Sequence, residues 1–390
     1  MQESYELLTL NLLFCIEKIF YMRLNEDLFY MLALQHAQNI GNIKAKKLIA
    51  HCGSAKAVFE ESKQNLMRVS GIGTAIVREL SDKMNFKAAE QELYFISEHN
   101  VSCSVYTDVQ YPKLLKQCVD GPILLFHFGN IEINEQPMIS IVGARQVTQR
   151  GKLFCEQLLE AIAIFNPIIV SGFAYGTDIT AQKAAMANGL QTIGCLAHGL
   201  DRIYPEAHRR YVNDIEQHGG FITDFWSSDP FRKINFVKRN RIIAGMSEAT
   251  VVIESAERGG SLITADLARS YDRDVFAVPG RVSDPQSVGC NNLIKHHKAY
   301  MLSDPMDIPY MLNWDIEKIQ SSQAEAQIPH DLEPEQQGIY NCIKRNTKIT
   351  IDNIALECDI PVSKLAGLLL EMELKGLIRS RPGKQFELNQ

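Results

Sequence analysis

The sequence predicts a doubly wound, mostly parallel α/β sheet, with a helical region ahead of it and a small winged helix behind it. Three observations carry that expectation. From Met138 onward, short β-branched runs alternate with helical periodicity for about 160 residues, the pattern of repeated βαβ units. Before Asn100 the apolar residues recur at three and four spacing with few β-branched runs, which predicts helices. Beyond Trp314 a polar stretch gives way to helix, helix, longer helix and a glycine-bearing basic hairpin, the layout of a winged helix.

Bulk properties narrow the class. A chain of 390 residues exceeds one ordinary domain, and 46% apolar residues supply a packed core. The formal net charge of −6 means that any nucleic-acid site must be a local positive patch on an acidic body. Nine cysteines are scattered with no CxxC pair, which predicts no disulfide framework, no zinc ribbon and a reducing cytosol. No run of about 18 apolar residues occurs, so no membrane span is predicted. The early run LLTLNLLFCIEKIF carries Glu3 and Glu6 ahead of or within it, where a signal peptide would carry positive charge. Residues 1–22 therefore read as an extension ahead of Met22.

Taken in order, residues 23–100 are expected to form a helical domain of helix-hairpin-helix (SAM-like) type. NIGNIKAKKLI (Asn39 to Ile49) and VSGIGTAIVREL (Val69 to Leu80) each read as an apolar residue, a glycine turn and an amphipathic helix. The amides of such turns suit a DNA phosphate, and they equally serve as plain helix starts. Residues 101–313 hold the sheet domain. Its strands MISIV, IIVS, QTIGC, FIT, TVVI and DVFAV each end in glycine or charge, which is where a parallel sheet binds ligands. Residues 314–331 read as a linker and 332–390 as the winged helix, whose third helix offers Lys364 and Lys375 but also Glu371 and Glu373. That mixed face suits a protein contact at least as well as DNA.

The chemistry concentrates in two stretches. NFVKRNRIIAGMS (Asn235 to Ser247) places Lys238, Arg239, Asn240 and Arg241 at what reads as one end of a helix. ERGGSLITADL (Glu257 to Leu267) places the amides of Gly259, Gly260 and Ser261 at the start of the next. Guanidinium forks and unsatisfied helix amides both hold anionic oxygens. No acidic residue occurs between Pro230 and Ile243, whereas Arg232, Lys233, Lys238, Arg239 and Arg241 do, so a phosphate-rich ligand is expected. Dinucleotide, P-loop and serine-elbow signatures are absent. Asp178, Asp201, Asp224, Glu254 and His198 are the material for a catalytic reading, but the anion-binding residues outnumber them.

VGARQVTQRG, IIVSGFAYGTD, CLAHGLDRIYP, FVKRNRIIAGMS, VVIESAERGGSLITADLA, VFAVPG and GCNNLI, in this order, resemble the DprA/Smf family of DNA-processing proteins. The resemblance spans about Tyr111 to Tyr300, and its most specific part is FxxRNRIIAG followed by GGSLITA. It implies a cytosolic, cofactor-free homodimer that binds single-stranded DNA, protects incoming strands in natural transformation and helps to load the RecA recombinase. It implies a Rossmann-like sheet and a DNA pocket at Arg145, Ser171, Gly172, Phe236, Lys238, Arg239, Asn240, Gly260 and Ser261, to which Arg241 and Gly259 are added from the charge and glycine pattern. Phe236 would stack a base, worth about 1–3 kcal/mol whatever the sequence, and Arg145, Lys238 and Arg239 would make salt-dependent phosphate contacts. Three departures stand out: Ala181-Gln182 for Ala-His, Thr223-Asp224 for Ser-Glu, and HHKA after GCNNLI for a Gly-Ala ending. None removes an anion contact. A nucleotide-hydrolysing phosphoribohydrolase on a similar sheet is the alternative, but such enzymes carry PGGxGT followed by a glutamate, and the corresponding stretch ERGGSLITAD has no glutamate in that place.

Overall fold

In the computed structural model, the residues described are 26–133, 136–314, 332–346, 349–375, 377–381 and 384–388. The expected 1–22 extension, and all of the expected linker except Trp314, lie outside them. The described residues pack into two compact units, one running up to Trp314 and the other beyond it.

The first unit is built on a sheet of strands β1 (Ser102–Val105), β2 (Leu124–Gly129), β3 (Met138–Val142), β4 (Ile168–Ser171), β5 (Thr192–Cys195), β6 (Gly219–Thr223), β7 (Ala249–Val252), β8 (Asp274–Ala277) and β9 (Tyr300–Met301). Their spatial order is β1-β2-β6-β5-β4-β3-β7-β8-β9. From β6 to β9 every pairing is parallel, while β1 and β2 add an antiparallel edge. The sheet is thus mostly parallel and doubly wound, as the alternation predicts. Apolar side chains line both faces because helices cover both. Ile139 and Ile141 pack into one core, and Met138 and Val142 into the other, following the two-residue period of a strand. The chain leaves β3 for β4 on one side and returns to β7 on the other. Their carboxyl ends therefore bound the crevice at which such sheets take ligands.

Ahead of the sheet lie the helices Glu26–His36, Asn42–Cys52, Ala55–Glu60, Lys63–Leu66, Thr74–Leu80 and Met84–Glu98. Ser54 and Ser62 cap two of them by accepting from Ala57 N and Asn65 N. Leu32, Leu34, Leu48 and Val58 are fully buried among them. Specific polar contacts tie these helices to the sheet. Trp226 Nε1 donates to Gln35 Oε1 (2.8 Å), Ile123 N to Asn42 Oδ1 (3.1 Å) and Lys46 Nζ to the Cys118 carbonyl (2.9 Å). Glu92, buried on the last helix, accepts from Ser227 N at 2.8 Å and from its hydroxyl at 2.6 Å.

The second unit has helices Pro334–Asn346, Ile351–Cys358 and Val362–Leu374 and a sheet of β10 (Ile349–Thr350), β11 (Ile378–Arg381) and β12 (Gln385–Leu388), ordered β10-β12-β11. That is a winged helix, with Ile339, Ile343, Ile354, Leu365, Leu369 and Met372 as its core.

One expectation needs correction. The helix Lys233–Met246 begins before the cationic run, so Lys238 to Arg241 sit in its middle and not at an end. Arg232 is still extended (φ −134°, ψ 149°), so the helix starts at Lys233 and carries the run into its second and third turns.

Glu92 gives the fold a measurable signature. Burial raises its pKa, and the two Ser227 hydrogen bonds oppose that shift. Glu92→Ala, which strands the Ser227 amide, is expected to cost about 1–3 kcal/mol in denaturant melts, and Glu92→Gln much less. A raised folded pKa stabilises the parent most below the ordinary glutamate value and loses that contribution as pH rises through the folded pKa. The stability of Glu92→Gln relative to the parent should therefore improve as pH increases from about 4 to 7.

Candidate nucleic-acid interface

The loops at the carboxyl ends of β3, β4, β5 and β6 meet the first half of the helix Lys233–Met246, and the contact between them is polar and buried. Arg239, 4% exposed, donates from Nη1 to the carbonyls of Gly172 (2.5 Å) and Cys195, which terminate β4 and β5. Its Nε donates to Asn240 Oδ1 at 3.3 Å. Beside it lies Asp178, also buried, which accepts from Ala174 N at 3.2 Å. Burial opposes charge on both groups, raising the Asp178 pKa and lowering that of Arg239, and each is the principal electrostatic compensation of the other. Gly172 is glycine because of this pair: a Cβ there would lie 2.5 Å from Asp178 Oδ2 and 2.6 Å from both terminal nitrogens of Arg239.

Above this contact the surface is aromatic and cationic. Phe236, one turn before Arg239, has the Arg145 guanidinium 5.2 Å from its ring centroid and that of Arg239 at 5.9 Å. Tyr204, from the loop after β5, and Phe231, from the loop after β6, each meet Phe236 edge-on at 5.8 Å. Tyr204 and Phe231 themselves lie 4.8 Å apart. The two loops are drawn together at Gly199, where a Cβ would fall 2.2 Å from the Trp226 carbonyl oxygen. Arg145 is exposed against Phe236, Arg232 and Lys233 are exposed next to Phe231 in the chain, and Lys238 is exposed farther along the helix.

The remaining anion-site residues divide between surface and interior. Gly259 and Gly260 begin the helix Gly260–Ser270, with Gly260 exposed and nothing within 4 Å of the place its Cβ would occupy. Ser261 is buried and donates to Ser255 Oγ at 3.1 Å. Ser171 is buried as well, its hydroxyl donating to the Ile141 carbonyl at 2.7 Å. Asn240 donates to the Gly260 carbonyl at 3.4 Å and so joins the two helices. Arg241 turns away from these loops: it pairs with Asp224 and donates to the Asp120 carbonyl at 2.6 Å. With Lys238 it lines a cleft of about 810 Å³, across which lies the first glycine turn, Asn39 to Lys44.

The model of the DNA recombination-mediator protein A family matches residues 102–313, and that of the DprA winged helix domain matches 323–384. The chain belongs to the DNA recombination-mediator protein A family. It is 26% identical to the protein Smf of Synechocystis sp. over 395 aligned positions, 93% of this chain and 99% of that one. The crystal structure of DNA processing protein A (DprA) from Streptococcus pneumoniae covers 72% of this chain and 95% of its own, at 29% identity and a TM-score of 0.56. A structure of DNA processing protein A from Helicobacter pylori, which concerns that protein's single-stranded DNA binding mode, covers 56% of this chain and 98% of its own, at 26% identity and a TM-score of 0.50.

Within this member of the family, the structure brings Arg145, Phe236, Gly172 and Arg239 to one place, but gives them different positions. Arg145 and Lys238 are at the surface. Arg239, Asn240, Ser171 and Ser261 are beneath it, so Arg239 shapes the site instead of meeting solvent. Of the five candidates for acid–base chemistry the four carboxylates are engaged, while buried His198 donates from Nδ1 to the Gly199 carbonyl at 2.8 Å and its Nε2 has no partner among the described residues. Glu254 accepts from Thr148 N and its hydroxyl (2.8 and 2.5 Å), Asp224 is paired with Arg241, and Asp201 with Arg202 (2.6 Å). Thr223, standing where a serine is usual, keeps the hydroxyl, which donates to the His198 carbonyl at 2.9 Å. In the second unit four cations are paired: Lys364 with Glu335 (2.6 Å), Lys375 with Glu371 (2.7 Å), and Arg379 and Arg381 with Glu387 (2.5 and 2.8 Å). Tyr204 and Phe231 were not singled out from the sequence. The available signal was an aromatic residue in each of two adjacent strand-end loops.

Burial separates the consequences of two neighbouring substitutions. Arg239→Ala leaves Asp178 and two strand-end carbonyls without their partner, and is expected to lower stability by about 3–5 kcal/mol along with any loss of binding. Lys238→Ala, at the surface, should leave the melting temperature within about 2 °C of the parent. Differential scanning calorimetry of the two variants checks both.

Proposed function

We propose that this protein binds single-stranded DNA across the carboxyl ends of β3 to β6 and serves as a recombination mediator, without itself catalysing a reaction. The observation that carries the proposal is the exposed Arg145 against the aromatic cluster of Phe236, Tyr204 and Phe231, with Arg232 and Lys233 exposed next to Phe231 in the chain, in a protein whose net charge is −6. A cationic rim with aromatic faces suits a flexible polyanion with unstacked bases, since phosphate contacts supply affinity and stacking tolerates any sequence. The Helicobacter pylori relative, studied for its single-stranded DNA binding mode, supports that choice of ligand. The ion pairs of Lys364, Lys375, Arg379 and Arg381 in the winged helix favour the sheet as the DNA contact. In the full role, the protein protects incoming strands in natural transformation, acts as a cytoplasmic homodimer, and passes the strand to the RecA recombinase. Among the described residues no helix is long and apolar enough to cross a membrane.

Engagement of Asp178, Asp224 and Glu254 in structural contacts supports binding without chemistry. The phosphoribohydrolase reading needs a carboxylate free to act on the ribose, and no observation favours it.

Fluorescence anisotropy with labelled oligo-dT and with duplex of equal length tests the proposal. Single strands should bind more tightly, and log Kd should rise steeply with log salt, by about 0.7 per phosphate neutralised. Arg145→Ala should weaken binding by about tenfold, as expected for loss of one charge-assisted contact, and lower the salt slope by about one phosphate. Equal affinity for duplex, or release of free base from AMP by the purified protein, would contradict it.

A further inference from the structure

We propose that the third helix of the winged helix, Val362–Leu374, docks against the same helix of a second copy of this chain, the two running antiparallel about a two-fold axis near Gly367. This contact lies wholly in the second unit and is independent of the single-stranded DNA reading.

The helix has two sides of different character. Leu365, Leu369 and Met372 point into the core of their own unit and are buried. On the opposite side Ser363, Ala366, Gly367 and Leu370 are exposed, and none of them carries a charge. Leu370 is 59% exposed, and Val362 at the helix start is 45% exposed. Gly367 has nothing within 4 Å of the place its Cβ would occupy, so the backbone is open to close approach from outside. In a winged helix this is the helix that enters the major groove, where its outward side must bring cations and hydrogen-bonding groups to phosphates and base edges. Here that side brings a leucine, an alanine and a bare stretch of backbone, with Ser363 as its one hydroxyl. Such a strip suits another helix. Leu370 and Val362 supply apolar area to bury, and the small residues between them let two helix axes come close.

Charge selects which helix it is. Ser363, Gly367 and Leu370 follow the four-and-three spacing of a helix seam. Lys364 and Glu371, seven residues apart, lie on one edge of that seam, two turns from each other. A second copy related by a two-fold axis normal to the plane of the helix pair keeps this edge on the same side and reverses its order. Lys364 then faces the partner's Glu371, Glu371 faces the partner's Lys364, and Leu370 lies beside the partner's Gly367. A parallel pair would set lysine against lysine and glutamate against glutamate, which charge repulsion disfavours. Within one copy Lys364 is held by Glu335 and Glu371 by Lys375, all four about half exposed. Surface pairs of this kind hold their side chains weakly, so they exchange readily for partners across the interface. The strip is short, which makes the contact weak by itself and calls for a trapping experiment.

Gly367→Cys in the full chain puts a thiol at the centre of the contact, in space that the fold leaves open. Asn341→Cys, on the exposed side of the helix Pro334–Asn346, is the reference for random encounters. Both are oxidised with copper phenanthroline at one protein concentration and digested. Peptide mass spectrometry then quantifies the species joined through the introduced position of two chains. Gly367→Cys should give at least about tenfold more of it than Asn341→Cys, as expected for a held over a diffusing pair. Leu370→Lys added to Gly367→Cys should bring the yield down to the reference. Lys364→Glu or Glu371→Lys added singly should lower it, and the two together should restore it. That rescue reads the facing charges directly, so the test stays decisive if Leu370→Lys disturbs the fold. A yield for Gly367→Cys no higher than the reference would overturn the proposal, and is the outcome if this side meets DNA or a different protein. Single charge variants that cross-link like Gly367→Cys alone, or a double exchange that fails to restore the yield, would overturn it too.

Discussion

Arg239 donates to the carbonyls that end β4 and β5 while lying against Asp178, and the surface above takes its shape from that buried contact. The loops after β3, β4, β5 and β6 come from separate βαβ units, and little in a parallel sheet dictates how they lie relative to one another. A guanidinium has donors enough to satisfy several carbonyls at once and stays charged when buried, which a lysine would not do as reliably. Its cost is desolvation, and Asp178 offsets that cost across the cleft that Gly172 leaves open. Phe236 sits one helical turn earlier on the same face, so fixing the guanidinium also fixes the ring.

From this follows a division between residues that hold the site and residues that face the ligand. Ser171, Arg239, Asn240 and Ser261 spend their polar groups on the protein. Arg145, Lys238 and the rings of Tyr204 and Phe231 face outward. The arrangement also reconciles an acidic protein with an anionic ligand. Of the carboxylates on these loops, Asp178 lies against Arg239, Asp201 is paired with Arg202 and Asp224 with Arg241, which offsets their charge.

Much of this was legible in the sequence. Strand and helix alternation from Met138 specified the sheet, because a strand buried on both faces is a near-continuous apolar run, as MISIV is but for Ser140, whose hydroxyl donates to the Ile243 carbonyl. The site's location followed from where glycine and charge interrupt those runs. Which cation faces inward did not follow. Lys238, Arg239 and Arg241 are close neighbours on one helix, and only the phase of that helix against the sheet decides that Arg239 is buried and Lys238 exposed. The charge run also conceals the helix boundary at Arg232, several residues before Lys238. Tyr204 and Phe231 were missed for a related reason: loop residues have no periodicity, and their proximity depends on the close approach of Gly199 to Trp226. In the winged helix, the mixed charge of the third helix is legible in the sequence, whereas the pairing of Glu387 with both Arg379 and Arg381 depends on the register of β11 and β12.

The most direct test of the account is photochemical. An oligo-dT carrying 5-iodouracil is bound to the full chain, irradiated, and the adducts are mapped by peptide mass spectrometry. The account predicts adducts on the aromatic cluster of Phe236, Tyr204 and Phe231, all lost on competition with unlabelled oligo-dT. Adducts confined to the winged helix between residues 332 and 388, or to the helices before residue 100, would contradict it.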